Sequence, residues 1–153
     1  MEAKDFREHL ENNILPFWNK LKDEENGGFY GYVSGDGTPD PKAVKGVILN
    51  NLILWFYSTA YRILKTPELL MMADHAYRFF VEHCFDSRYG GVYWSVKYDG
   101  TVCEDMKHTY NQAFAIYALS AYYEASGKQE ALSFAYMLYR MIESQCSDEG
   151  GYL

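Results

Sequence analysis

No apolar run in the 153-residue chain approaches the length of a membrane span, so a transmembrane helix is not expected. Basic residues are scarce, with 14 Lys and Arg against 21 Asp and Glu, and they form no cluster able to neutralise phosphates. The net charge of −7 therefore argues against nucleic acid as a partner and describes an acidic, solvated surface. Cysteine is sparse and odd in number. Cys84, Cys103 and Cys146, with no signal peptide ahead of them, read as reduced thiols in a cytoplasmic protein. Histidine is rarer than tyrosine by far, at 4 residues against 15.

Ring surface is what the chain has in quantity: aromatics make up 18% of it. Rings with a polar tip suit sugar clefts, and they suit helix–helix packing equally well. The stretch 106–127, MKHTYNQAFAIYALSAYYEASG, sets the pattern. After a polar start it runs apolar around most of a helical circumference, as a helix packed on most sides does, and Gly127 supplies a C-cap. A shift of 62 residues brings the pattern back, with Trp55 at the place of Tyr117, Ser58 at Ser120 and Tyr61 at Tyr123. Cys84 and Cys146 are related by the same shift, which makes them packing residues and not partners in a bridge.

Helices are predicted over 3–21, 43–64, 67–84, 107–126 and 129–145, with Pro16 a source of a kink in the first and Pro67 in the first turn of the third. Residues 29–34 alternate like a short strand, and 92–97 and 101–104 flank Asp99-Gly100, a signal for a hairpin with a type I′ turn. Double glycines fall at 27/28, 90/91 and 150/151. The unit is helix, Gly-Gly loop, helix, then a short turn: an all-α architecture of stacked pairs, as an open solenoid or a closed ring, with loops and short hairpins gathered at one end. An odd number of helices and a final loop stopping as it begins lead us to expect one domain, 1–153, that is the front part of a longer protein. The flank of the last helix (Phe134, Tyr136, Leu138, Tyr139) is then expected to be bare.

Residues 16–34 (PFWNKLKDEENGGFYGYVS), 45–62 (KGVILNNLILWFYSTAYR) and 106–127 together resemble the N-terminal part of the cellobiose 2-epimerases, in the N-acylglucosamine 2-epimerase superfamily. The resemblance implies part of an (α/α)6 toroid, with 43–64 and 107–126 as inner helices around a sugar pocket. It implies inversion at C2 of the reducing-end glucose of a β-1,4-linked disaccharide, by proton abstraction and return through a cis-enediol. No cofactor or metal is implied. The reaction needs an acid and a base on opposite faces of C2 and a donor near O1 and O2 for the developing charge.

On that resemblance Tyr110 matches a family tyrosine that helps contact the sugar at the pocket mouth, and Asn111, Gln112 and Asn50 are polar residues of the same region. Relatives typically carry Arg at position 52, binding the sugar oxygens; here Leu52 stands there, and an aliphatic side chain cannot donate to an oxyanion. Trp94, on a loop strand, is a candidate for ligand contact, whereas Trp18 and Trp55 read as helix packing. His9, His75 and His83 fall on outer helices, and His108 reads as a helix-start residue. The family's acid–base histidines lie beyond Leu153, so no catalytic residue is assigned. Asp23-Glu24-Glu25 invites a glycosidase reading, but adjacent carboxylates cannot flank one bond, and a solvated break is expected. Two functions lead: an epimerase fragment, inactive alone, with weak or absent disaccharide binding, or a non-catalytic helical-repeat module, natural or engineered. A glycoside-processing toroid working by carboxylate chemistry is a third, and it would need an unpaired site carboxylate that the sequence does not point to. Either of the first two is expected to form a homodimer through the bare flank.

Overall fold

The computed structural model describes residues 3–152. The first outer helix consists of α1 (Ala3–His9), a π-helical turn (Leu10–Ile14) and α2 (Leu15–Asn19). Two inner helices, α3 (Val47–Leu64) and α5 (Thr109–Ser126), pack against each other. Behind them lie α4 (Pro67–Phe79), extended by a second π turn (Phe80–Cys84), and α6 (Gln129–Gln145). Helix α4 rests on α3, and α6 on α5. Alanines at the seams, among them Ala73, Ala76, Ala115, Ala118 and Ala131, are buried and let the helix backbones approach closely.

The two repeats pack on their own equivalents. Trp55 stacks on Tyr117 at 5.5 Å between ring centroids, the pair related by the 62-residue shift. Helix ends follow the same register. Gly127 closes α5 in the left-handed region at φ 72°, and 62 residues earlier Lys65 closes α3 in that region at φ 59°, without glycine's freedom.

The loops at the mouth are built twice from one plan. The Asp23 N–H donates to the Gly28 carbonyl at 3.0 Å and Tyr30 N–H to Leu21 at 2.9 Å; Asp86 and Tyr93 repeat these bonds to Gly91 and Cys84. Gly28 has φ 63°, and a Cβ there would sit 2.7 Å from the Phe79 ring, so both conformation and space demand glycine. Inside the first loop Lys45 Nζ donates to Asp23 Oδ2 and to the Gly27 carbonyl, each at 2.7 Å, and rides 4.8 Å above Phe79. Lys45 also opens β1 (Lys45–Gly46), which pairs antiparallel with β2 (Ser95–Val96), itself paired with β3 (Val102–Glu104). This three-stranded sheet ties the second loop to the start of α3. A further pair, β4 (Ser147–Asp148) and β5 (Gly151–Tyr152), follows α6.

Several expectations are corrected. The first helix is not regular over 3–21: the π turn, with Leu15 N–H reaching Leu10, lies just ahead of Pro16, which removes a donor from the ladder, and helical structure stops at Asn19. Residues 43–46 are not helical because Lys45 and Gly46 are taken up by the sheet, and the fourth helix starts at Thr109, not 107. Residues 29–34 form only isolated bridges, Lys22 with Phe29 and Val33 with Pro39. The hairpin turn is not type I′. That turn needs positive φ at two residues, and only Gly100 has it; Gly100 N–H donates to Lys97 and Lys97 N–H to Thr101, a three-residue loop with a bulge. Asp23 is no solvated break: it is fully buried.

Replacing Asp23 with Asn would leave the Lys45 ammonium, itself 1% exposed, buried without its counter-charge. Such a loss costs about 3–5 kcal/mol. Urea denaturation of Asp23→Asn is expected to show a destabilisation of that order, whereas Glu24→Gln, at an exposed carboxylate, should leave the midpoint unchanged.

Candidate functional site: an aromatic wall at the loop end

Spacing of i, i+4 and i+7 puts Tyr110, Phe114 and Tyr117 on one face of α5, and Leu52 and Trp55 lie on the neighbouring face of α3. Large parts of this surface are open: Tyr110 and Tyr117 are each 51% exposed, Leu52 37%. Trp94, from the loop ahead of β2, stands at its upper end. Its ring meets His108 edge-on at 4.6 Å and Tyr110 at 5.8 Å, and Tyr110 in turn meets Phe114 at 6.1 Å. The result is a wall of ring faces and edges with one imidazole at the rim. Such a surface offers CH–π contact to the apolar faces of a pyranose and hydroxyl tips to its edges.

The backbone carrying Trp94 is held from several sides. Its N–H donates to the Glu104 carbonyl at 3.0 Å and its carbonyl accepts from Val47 N–H at 3.1 Å. The preceding carbonyl, of Tyr93, accepts from Asn111 Nδ2 at 2.8 Å. Gln112 takes both backbone groups of Val92, accepting from its N–H at 2.7 Å and donating to its carbonyl at 2.9 Å. Below this, Lys107 Nζ donates to Asp86 Oδ2 at 2.7 Å and lies 4.7 Å over the Tyr93 ring, the second copy of the Lys45–Asp23 clasp. Burial acts to raise the Asp86 carboxyl, but the Lys107 bond and the Tyr89 and Arg88 N–H groups outweigh it and hold the group at about 2. Asp23 is lowered in the same way, burial being overcome by Lys45 and the N–H groups of Asn26 and Glu25.

The sequence-derived candidates therefore divide. Tyr110, Leu52 and Trp94 lie on the open wall. Asn111 and Asn50 do not: both are buried, Asn111 in the bonds to Tyr93 and Asn51, Asn50 donating to the Gly46 carbonyl one turn back at 3.1 Å. His75 lies on the outer layer, its Nε2 2.8 Å from the Gly28 carbonyl, and His83 lies under Gly100. His108 begins α5 without a side-chain capping bond and lies open beside Trp94. Among the described residues no cluster of His, Cys, Asp or Glu has the makings of a metal site. Sequence reasoning missed the two Asp–Lys clasps. Their signal was present, since Asp23 and Asp86 are 63 apart and Lys45 and Lys107 are 62 apart.

A family model described as N-acylglucosamine 2-epimerase matches residues 2–152. The chain is 56% identical over 152 residues to a cellobiose 2-epimerase of Ruminococcus albus, covering 99% of this chain and 39% of that protein. It is 56% identical over 144 residues to a cellobiose 2-epimerase of Eubacterium cellulosolvens, covering 94% and 36% respectively. A crystal structure of a sugar epimerase from a ruminal bacterium superposes with a TM-score of 0.97 at 55% identity, over 99% of this chain and 39% of that one. The chain thus spans about two-fifths of the length of the relatives it matches.

The clasps set a pH dependence. Carboxyls held below their ordinary value of 3.8 stabilise the fold above that value, and the stabilisation is lost as the pH falls through each folded value, about 2 for Asp86 and likewise lowered for Asp23. Thermal melts followed by circular dichroism should show the midpoint falling between pH 4 and pH 2. The fall should be shallower in Asp86→Asn, whose melting temperature is lower throughout.

Proposed function

Since the chain belongs to the N-acylglucosamine 2-epimerase family, we propose that it forms one wall of the sugar pocket of an epimerase that inverts C2 of the reducing-end glucose in a β-1,4-linked disaccharide. The observation that carries this reading is the open aromatic face of Trp94, Tyr110, Phe114 and Tyr117 at the loop end of two inner helices. Ring opening of the substrate acidifies C2–H. A base removes that proton, and an acid returns one to the other face of the cis-enediol. What this chain contributes is orientation: ring surfaces that select a pyranose and hold it against the helix ends.

The chain alone is proposed to be inactive. Of its four histidines only His108 stands beside the wall, so the base and acid are not paired here. Leu52 holds the position from which a guanidinium would stabilise charge on O1 and O2, and it brings only aliphatic surface. Disaccharide binding to one wall is accordingly weak or absent.

Self-association is the second reading, and the repeat itself favours it. The groove lined by Ile116, Ser120, Leu132, Ala135, Tyr136 and Tyr139 has a counterpart one repeat earlier, at Leu54, Ser58, Leu70, Ala73, Asp74 and Tyr77. In that counterpart Leu54, Ser58, Ala73 and Tyr77 are buried, Tyr77 stacked on Tyr122 of α5 at 4.4 Å. The bare flank of α6 is smaller than its sequence predicts, because Leu138 and Ile142 face inward and Phe134 packs on Phe85. Tyr136, Met137 and Tyr139 remain exposed. We propose a homodimer that covers them.

Three measurements check these proposals. The isolated chain should give no protein-dependent deuterium incorporation at C2 of cellobiose in heavy water; incorporation above buffer would show that a base is present. A chimera carrying this chain in place of the matching part of the Ruminococcus albus relative should fold but epimerise poorly, and Leu52→Arg in it should restore about 10²–10³-fold in turnover. A folded Leu52→Arg chimera without activity would overturn the pocket-wall reading. Analytical ultracentrifugation at micromolar concentration should return twice the 17.8 kDa chain mass, and a monodisperse monomer would overturn the dimer.

A further inference from the structure

We propose that Asn111, together with Asn51 behind it, is a positioning residue that sets the angle between Trp94 and Tyr110 and does not itself touch sugar. The proposal deepens the pocket-wall reading and rests on it for the nature of the ligand. Asn111 is fully buried, so no ligand reaches its amide in this arrangement. Both ends of that amide are nevertheless occupied. Nδ2 donates to the Tyr93 carbonyl at 2.8 Å, and Oδ1 accepts from Asn51 Nδ2 at 3.3 Å. One hydrogen bond therefore joins the residue just after Tyr110 to the residue just before Trp94, and a second ties that junction to the other inner helix.

The consequence is geometric. Trp94 is already bonded through its own N–H to Glu104 and through its carbonyl to Val47. These bonds fix the strand in the sheet and against α3, but neither fixes it against α5. Among the described hydrogen bonds, those of Asn111 and Gln112 to Tyr93 and Val92 do so, beside the ring contact of Trp94 with His108 and the Lys107 ammonium over Tyr93, and the Asn111 bond is the nearest of the hydrogen bonds to Trp94. Without it the peptide leading to Trp94 loses its reference to Tyr110, and the 5.8 Å edge-to-face contact is held only by the rings. A pair of rings worth roughly 0.5–1.5 kcal/mol does not hold a loop in one pose by itself.

The Asn51 side chain commits its donor end to Asn111, while its oxygen, like that of Asn50 beside it, is buried and accepts no hydrogen bond in the protein. A buried polar group in that state opposes folding, so the bond from Nδ2 to Asn111 is made at a cost.

The test uses the full chain labelled with 5-fluorotryptophan, whose three fluorine resonances (Trp18, Trp55, Trp94) are assigned by single Trp→Phe replacements. Asn111→Leu, near-isosteric but without donor or acceptor, is expected to shift and broaden the Trp94 resonance beyond its wild-type line width while Trp18 and Trp55 stay in place. Asn51→Ser, a milder change, should move the same resonance in the same direction by less. Ser58→Ala is the control: that hydroxyl is as buried, but bonds only to Leu54 within its own helix, and its loss should leave Trp94 unmoved. If Asn111→Leu lowers the melting temperature while Trp94 keeps its wild-type position and width, Asn111 is structural only and the proposal fails. Should that variant not fold, an unmoved Trp94 in folded Asn51→Ser is equally decisive against it. Titration with cellobiose is done in the Leu52→Arg chimera with the Ruminococcus albus relative, where the rest of the pocket is present: a Trp94 shift there that is lost on Asn111→Leu supports positioning for sugar. A variant-dependent Trp94 that does not respond to millimolar cellobiose in that chimera would keep the coupling and overturn its link to a sugar wall.

Discussion

A lysine that closes its own loop governs the end of the molecule where the wall is built. Lys45 and Lys107 each stand just ahead of an inner helix and each reach back to an aspartate that began the preceding loop. A lysine and a carboxylate withdrawn from water are costly, and the cost is met only when the remaining hydrogen-bonding capacity is used. Here it is used: the aspartates also accept loop N–H groups, and Lys45 also donates to Gly27. The pair accordingly permits one loop conformation, that conformation requires glycine at its turn, and the strand leaving the turn arrives at a defined height on the inner helix. Phe79 beneath the first loop and Met141 beneath the second stand at corresponding places in the repeat.

Above that anchoring the division of labour is clear. The inner helices show rings to the open side and small residues to their neighbours, so the same helix serves as scaffold on one face and as contact surface on the other. The open face is built of rings, and the two clasps are partly or wholly withdrawn from water. A wall of this kind binds and orients, and under the function we propose, the proton transfers and the stabilisation of the oxyanion belong to groups outside this chain.

The helices and the Gly-Gly loops were legible because they repeat: each apolar period is seen twice, and a glycine pair with positive φ leaves a mark few other features share. That Tyr110 and Trp94 lie at the loop end was legible from their positions in the repeat. The π turns were not, since widening a helix by one residue leaves the apolar period nearly intact. The hairpin at Gly100 misled because Asp-Gly serves two turn types, and the choice between them was made by the bulge between Ser95 and Val96. Asp23 misled most. In a run of three acids nothing local distinguishes the one that turns inward; its partner stands 22 residues away, and only comparison with Asp86 and Lys107 points to the pair. Asn111 is a polar side chain beside a candidate site tyrosine, which can turn toward the open face or away from it, and the sequence does not contain the direction.

Helices here touch mostly those one or two elements away along the chain, α3 with α4 and α5, and α5 with α6. Such a ladder has consequences for synthesis. The flank of α3 that α5 will cover emerges from the ribosome about 62 residues before its cover does. At ordinary elongation rates that interval is roughly 3–12 s, far longer than a helix needs to form. Once it has emerged, Tyr77 faces water until Tyr122 arrives to stack on it, on a nascent chain whose first loop can already be closed by Lys45. The first repeat therefore has to hold its shape as an unfinished object, and the buried clasp, drawn wholly from residues 23–45, is complete early enough to make that possible.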